Sequence, residues 1–104
     1  MQYIHEPHRI HVNDENGKMI VNATFPEIKP GVVNVDHTFV DPALRGQGIA
    51  SQLMHEVCRY ARAQGYRMVA TCPYAVVWFK RHQDQCDLID EQTQATLAPE
   101  CQIF

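Results

Sequence analysis

The sequence predicts an α/β fold: a single domain over residues 1–104, an α+β arrangement on a mixed sheet. Three observations carry this. Short stretches of alternating apolar residues fill the first forty positions, punctuated by Asn16-Gly17 and by Lys29-Pro30-Gly31. One long helical pattern follows, from about Gly46 to Gln64. A further β-prone run, residues 66–72, comes directly after it, and a helix between two strands is long enough for a parallel crossover.

Each element has a local cause. Residues 8–13 (HRIHVN) read as a strand, and Asn16-Gly17 suits the left-handed conformations of a type I′ turn, giving a hairpin with residues 18–25. Met19, Val21, Ala23 and Phe25 alternate along one face of that second strand. Pro30 and Gly31 suit positions i+1 and i+2 of a type II turn. The clearest strand is residues 32–40 (VVNVDHTFV), with Val33, Val35, His37 and Phe39 on one face and Asp36, Thr38 and Val40 among those on the other. These three strands form an antiparallel meander. In the helix, Ile49, Leu53, Val57, Tyr60 and Ala61 recur at helical spacing, with Gln52, Glu56, Arg59 and Arg62 on the wet side and Gly65 as the stop. After the fourth strand, Pro73 can open a short second helix, YAVVWFKRH, with Val76, Val77, Phe79 and Lys80 on an amphipathic turn or two. Residues 87–104 contain a possible last strand at Leu88-Ile89 and otherwise read as a loosely held end.

Composition narrows the function. The formal net charge of −3 gives no basic footprint for nucleic acid or an anionic membrane. No apolar run approaches a membrane span, and MQYIHEPHRIH lacks the apolar core of a secretory signal. Cys58, Cys72, Cys86 and Cys101 contain no CxxC pair; a cytoplasmic or similarly reducing compartment is expected, without disulfides or a zinc site. His5, His8 and His11 alternate faces of a strand and make a poor metal site, so no metal is expected.

The stretch FVDPALRGQGIA, residues 39–50, is the chemically distinctive one. A strand hands over to a helix through Arg45, Gly46, Gln47 and Gly48, with Ile49 and Ala50 opening the helix. Helix N-termini present unpaired N–H groups and a positive dipole end, the makings of an anion site. Gly46 and Gly48 let phosphate oxygens approach, and Arg45 adds charge. The stretch is neither a P-loop nor a GxGxxG dinucleotide fingerprint.

HTFVDPALRGQGIASQLMHEVCRYARAQGY resembles the acetyl-CoA motif of the GNAT N-acetyltransferases, Gln/Arg-x-x-Gly-x-Gly/Ala, with Arg45, Gly48 and Ala50 at its fixed positions. TCPYAVVWFKRHQDQCDLI resembles the second signature of the small, minimal branch of that superfamily. The resemblance implies bound acetyl-CoA, with its pyrophosphate on residues 45–50 and its pantetheine arm along the backbone of Phe39 and Val40. It implies acetyl transfer to an amine acceptor: a protein lysine, a polyamine or a small metabolite. Two departures stand out. The helical segment that ordinary members carry over the acceptor side is replaced by the Asn16-Gly17 turn, and the late-helix tyrosine that serves as acid aligns with Phe79. Tyr74 does not hold that matched position. Cys72, at the end of the fourth strand and the start of a helix, is the candidate to accept the acetyl group or to donate a proton, because a helix N-terminus favours thiolate chemistry. His37 is the candidate base for the amine or for Cys72. The alternative is a non-catalytic acyl-CoA-binding module. Lys80, Arg81 and His82 form a small basic cluster that could meet the outer phosphate of the cofactor but reads first as a solvated helix end; Trp78 reads as core and His55 as wet. An exposed sheet edge makes either a monomer or a dimer natural.

Overall fold

The computed structural model describes residues 2–101 and Ile103. Seven strands and three helices follow in order: β1 (Ile4–Glu6), β2 (Arg9–Asn13), β3 (Met19–Thr24), β4 (Glu27–Lys29), β5 (Val32–Val35), β6 (His37–Val40), α1 (Ile49–Gln64), β7 (Arg67–Ala70), α2 (Pro73–Arg81) and α3 (Glu91–Leu97). They form an antiparallel sheet in the order β1-β2-β3-β6 and a second sheet, β4-β5-β7, in which β5 and β7 run parallel as the crossover predicts. No helix among the described residues is long and apolar enough to cross a membrane.

The β2–β3 hairpin forms, but around a longer turn than Asn16-Gly17 alone suggests. Gly17 takes the left-handed conformation, φ +81°, whereas Asn16 does not. The Gly17 N–H donates to the carbonyl of Asp14, and the Asp14 carboxylate accepts from the N–H groups of Asn16 and Lys18. Asp14 therefore organises the loop as an Asx turn, a competing local interaction that the two-residue expectation overlooks. Before this hairpin the chain adds β1, which pairs with β2.

The predicted single strand over residues 32–40 is two strands in two sheets. The Asp36 N–H donates to Thr24, and His37 also stands opposite Thr24, so two residues face one. Such a β-bulge bends the strand and resets which side chains face in. The Thr24 hydroxyl donates to the Asp36 carboxylate at 2.5 Å, which holds the bend. Up to Val35 the chain runs with β7; from His37 it pairs with β3. The alternation predicted across all nine residues breaks here. Val33 and Val35 are fully buried, whereas His37 is exposed and Thr38 and Val40 face inward beside Ala23 and Val21.

Helix α1 packs across β3 and β6. Ile49, Leu53, Met54, Val57, Cys58 and Ala61 form its buried stripe; each large member contributes about 1.5–3 kcal/mol through burial. The helix starts at Ile49, not Gly46, because Gly46 and Gly48 both take positive φ, +85° and +74°, which no helix accommodates. Glu56, expected on the wet side, is buried under β1, where it accepts from His5 at 2.8 Å and pairs with Arg59. On α2 the buried residues are Ala75, Val76, Trp78 and Phe79, while Val77 is exposed.

The end of the chain is more ordered than expected. Ile89 bridges to Met68 in parallel, as the Leu88-Ile89 strand expectation foresees in miniature. Beyond it lies α3, whose N-terminus is capped by the Asp90 carboxylate accepting from the Thr93 N–H. Buried Gln94 docks on β7: its Oε1 accepts from the Ala70 N–H at 2.7 Å, and its Nε2 donates to the Ala70 carbonyl at 2.8 Å. One side chain thus completes the hydrogen bonding of an edge strand. Gln102 and Phe104 of this tail lie outside the described residues.

Candidate active site

The bulge at Asp36 produces the site. The Val35 carbonyl accepts from both Thr71 and Cys72 N–H groups, closing the seam with β7 at that point. Beyond it, β6 and the chain leading into α2 separate, and a cleft of about 380 Å³ opens. Thr38 and Val40 of β6, Leu44, Arg45, Gly46 and Gly48 of the connecting loop, Ile49, Ala50 and Ser51 of α1, and Tyr74 of α2 line it. The Asp41 N–H donates to Ile20 on β3. In an antiparallel pair each residue's N–H and C=O point the same way and successive residues alternate. Phe39 therefore turns its backbone groups to β3, and those of Thr38 and Val40 point to the free edge at the cleft. Of the pair expected to meet a ligand through the backbone, Val40 is presented and Phe39 is engaged; the ligand-facing neighbour is Thr38.

The loop at the mouth is held from below. The Asp41 carboxylate accepts from the Ala43 N–H at 2.9 Å, and Lys18 lies 3.4 Å away. That backbone bond holds the Asp41 carboxyl below its usual range, with Lys18 and Arg45 adding to the effect. The chain then passes through Pro42–Leu44 as one 3-10 turn into Arg45, Gly46, Gln47 and Gly48, all exposed. No side chain caps α1, so its first N–H groups face the cleft unpaired. Arg45 makes no ion pair among the described residues. Ile49 is buried with one side to the cleft, Ala50 lines it, and Gln47 stands at the rim outside the lining set.

Cys72 sits one residue before α2 and is buried; its Sγ lies 3.4 Å from the Oγ1 of Thr38, which lines the cleft, while Cys72 itself stands behind that lining. His37 does not join them. It projects from the opposite face of β6, exposed, next to Asp36 at the bulge. His37 therefore makes no contact with Cys72 here: the bulge that brings Thr38 to the thiol turns His37 to the other face. Tyr74 follows Cys72 by two residues and lines the cleft. Burial pushes its phenol upward, against a downward pull from Arg81 and with a further upward push from Cys72, so it holds its proton. Phe79, at the matched acid position, is wholly buried core. The sequence reading missed Thr38 and Ser51; only the bulge, a tertiary feature, puts Thr38 on this side.

The remaining candidates resolve into structure. Cys58 is buried, and burial pushes its thiol up to about 12; Cys86 donates to the Phe79 carbonyl. His5, His8 and His11 each approach a different carboxylate, Glu56, Glu27 and Glu6, and His11 is buried rather than on the surface. Lys80 and Arg81 are solvated, but His82 stacks on Trp78 with centroids 4.1 Å apart.

A family profile described as GCN5-related N-acetyl-transferase matches residues 9–88. Among solved structures, a GCN5-like protein of Staphylococcus aureus is similar over 85% of this chain and 86% of its own, with 22% identity and a TM-score of 0.71. A Trypanosoma brucei acetyltransferase is similar over 70% of this chain and 58% of its own (20% identity, TM-score 0.54). An acetyltransferase from Bacillus cereus is similar over 64% of this chain and 45% of its own (26% identity, TM-score 0.51). This chain therefore matches the small first protein nearly end to end and about half of the larger ones. No curated protein matches the sequence.

Proposed function

The chain belongs to the GCN5-related N-acetyl-transferase family, and on that premise we propose that it transfers the acetyl group of acetyl-CoA to an amine. The observation that carries this is the cleft opened by the Asp36 bulge, with an uncapped helix N-terminus and a double-glycine loop at its mouth. The residues present fit such a donor. The free edge groups of Thr38 and Val40 suit the amides of an extended pantetheine arm. The Gly46–Gly48 loop and the first turn of α1 suit a pyrophosphate, with Arg45 beside it.

The donor brings an activated thioester; the chain supplies position and protons. Cys72, in contact with Thr38 of the cleft lining, takes one of two roles. It accepts the acetyl group as a thioester, or gives its proton to the departing thiolate, with Tyr74 as a second proton source. The amine, a protein lysine, polyamine or small metabolite, enters from the opposite face of the sheet. There His37 takes the proton released as the C–N bond forms. The turn over Asp14–Lys18 leaves that face without a covering helix, which suits a large acceptor. We place this chemistry in a reducing compartment such as the cytoplasm.

Mass spectrometry of the intact protein with acetyl-CoA tests this. A non-covalent adduct is expected in the native spectrum and is lost in Gly48→Glu, with transfer to members of an amine panel. An acetyl group that survives denaturation in the parent protein and is missing in Cys72→Ala identifies the thioester route. Binding without transfer to any amine would instead make the chain a passive acyl-CoA-binding module, and no adduct at all would sink the donor site.

A further inference from the structure

A second cluster adjoins the cleft and is not used by the chemistry above. Ser51, on the cleft wall, accepts from the indole N–H of Trp78 at 2.9 Å. Trp78 is 3% exposed and carries His82 stacked on its face, and the His82 Nδ1 is hydrogen-bonded to the Trp78 carbonyl at 2.7 Å. His55, one turn beyond Ser51 on α1, sets its ring edge-on to both, 5.0 Å from Trp78 and 5.5 Å from His82. The imidazole of His55 is thus held in place by two aromatic neighbours, yet makes no hydrogen bond among the described residues. Its ring opens onto a separate hollow of about 400 Å³, lined by His55, Arg59, Arg62 and Gln85.

The charges around this hollow are unevenly committed. Arg62 is held by Asp87 at 2.7 and 2.8 Å and by Gln85 at 3.0 Å. Gln85 also donates to Asp84. Arg59 touches Glu56 through Nη2 only, and its side chain is 76% exposed, so Nε and Nη1 remain for a ligand. Ser51, His55 and Arg59 are four residues apart on one stripe of α1, leading away from Gly48. His55 stands roughly 10 Å along the axis from Gly48, and Arg59 roughly 16 Å, from a rise of about 1.5 Å per residue. Long helical side chains lean toward the N-terminus, which brings the Arg59 guanidinium back toward His55.

We infer that His55 and Arg59 bind the 3′-phosphate on the ribose of the acyl donor and make the protein selective for CoA over its 3′-dephospho form. The inference rests on the donor site proposed above. A diphosphate seated on the α1 N-terminus carries its ribose outward along that helix, and the next unspent donors on the same stripe are an ordered imidazole and a half-free guanidinium. A phosphate monoester accepts from both at once, as charge-assisted hydrogen bonds.

Calorimetric titration with CoA and with 3′-dephospho-CoA separates the possibilities. The parent protein is expected to prefer CoA by roughly tenfold, the value of one or two such contacts. His55→Gln and Arg59→Gln, both at exposed positions, should each cut that preference several-fold while leaving the affinity for 3′-dephospho-CoA unchanged. Equal affinity of the parent for the two ligands, or variants that weaken both equally, would overturn the inference and leave the donor site standing. A parent protein that binds neither ligand would remove the donor site and this inference with it.

Discussion

As far as Val35, the strand that begins at Val32 lies beside β7 in parallel register; from His37 onward the same stretch of chain has left β7 and lies beside β3. The closed half of this seam is paired on both edges of β7. Val35 accepts from two N–H groups, and on the far edge of β7 Gln94 pairs both backbone groups of Ala70. The open half leaves the cleft-side groups of Thr38 and Val40, and the first N–H groups of α1, without partners. One half is committed to holding the fold, and the other leaves its hydrogen-bonding capacity open. Unpaired backbone is tolerated only where water or a ligand can reach it, which is why the cleft lies at the surface and its counterpart does not.

The largest expected effect breaks the closed half. Gln94→Leu strips the Ala70 N–H and C=O of their partner inside the protein and should cost about 2–6 kcal/mol, at about 1–3 kcal/mol per buried group left unpaired. Thermal unfolding should show a fall in Tm of roughly 10 °C or more. Donor affinity of the folded protein should stay within roughly twofold of the parent's, measured by calorimetry. A larger loss of affinity would mean that the two halves are coupled.

A smaller effect is expected in the open half. An added Cβ at Gly48 meets nothing within 4 Å, so the cost of Gly48→Ala is set by its φ of +74° alone. That is about 1–2 kcal/mol, read by denaturant unfolding. Unlike Gly48→Glu, this variant keeps its N–H groups free and should retain donor binding once the loop is formed. Loss of binding without loss of stability would show that the methyl group itself obstructs the ligand.

The smallest effect is a pH dependence confined to the closed half. The Thr93 N–H holds the Asp90 carboxyl below its ordinary 3.8. A carboxylate depressed in the folded state stabilises above its unfolded value, and that contribution is lost as pH falls through the folded one. Asp90→Ala should therefore cost about 1 kcal/mol at neutral pH, the usual worth of an N-cap. The difference from the parent should shrink as pH drops below 3.8, followed by urea unfolding across that range. A difference that persists unchanged in acid would assign the effect to the packing of α3 and not to its cap.

Much of this is legible in local sequence. Local chemistry was enough for the hairpin at Gly17, the Pro-Gly turn, α1 with its stop at Gly65, the start of α2 at Pro73, and the glycine loop at the head of α1. Each depends on residues within a few positions of one another: φ freedom at glycine, fixed φ at proline, helical spacing of apolar side chains. What the sequence could not show is the outcome of competition between distant partners. Residues 32–40 are a good strand by any local measure, and only the rival claims of β7 and β3 divide them at Asp36. That division moved Thr38 to the thiol of Cys72, turned His37 outward and made Val40, not Phe39, the presented backbone. Gln94 and Glu56 look like surface residues until β7 and β1 arrive to bury them. The sequence by itself determined the elements and the glycine loop ahead of α1, because these follow from torsional preference and periodicity. The tertiary structure alone decided which backbone groups go unpaired and which side chains meet across the cleft, because hydrogen-bond satisfaction is settled over the whole chain at once.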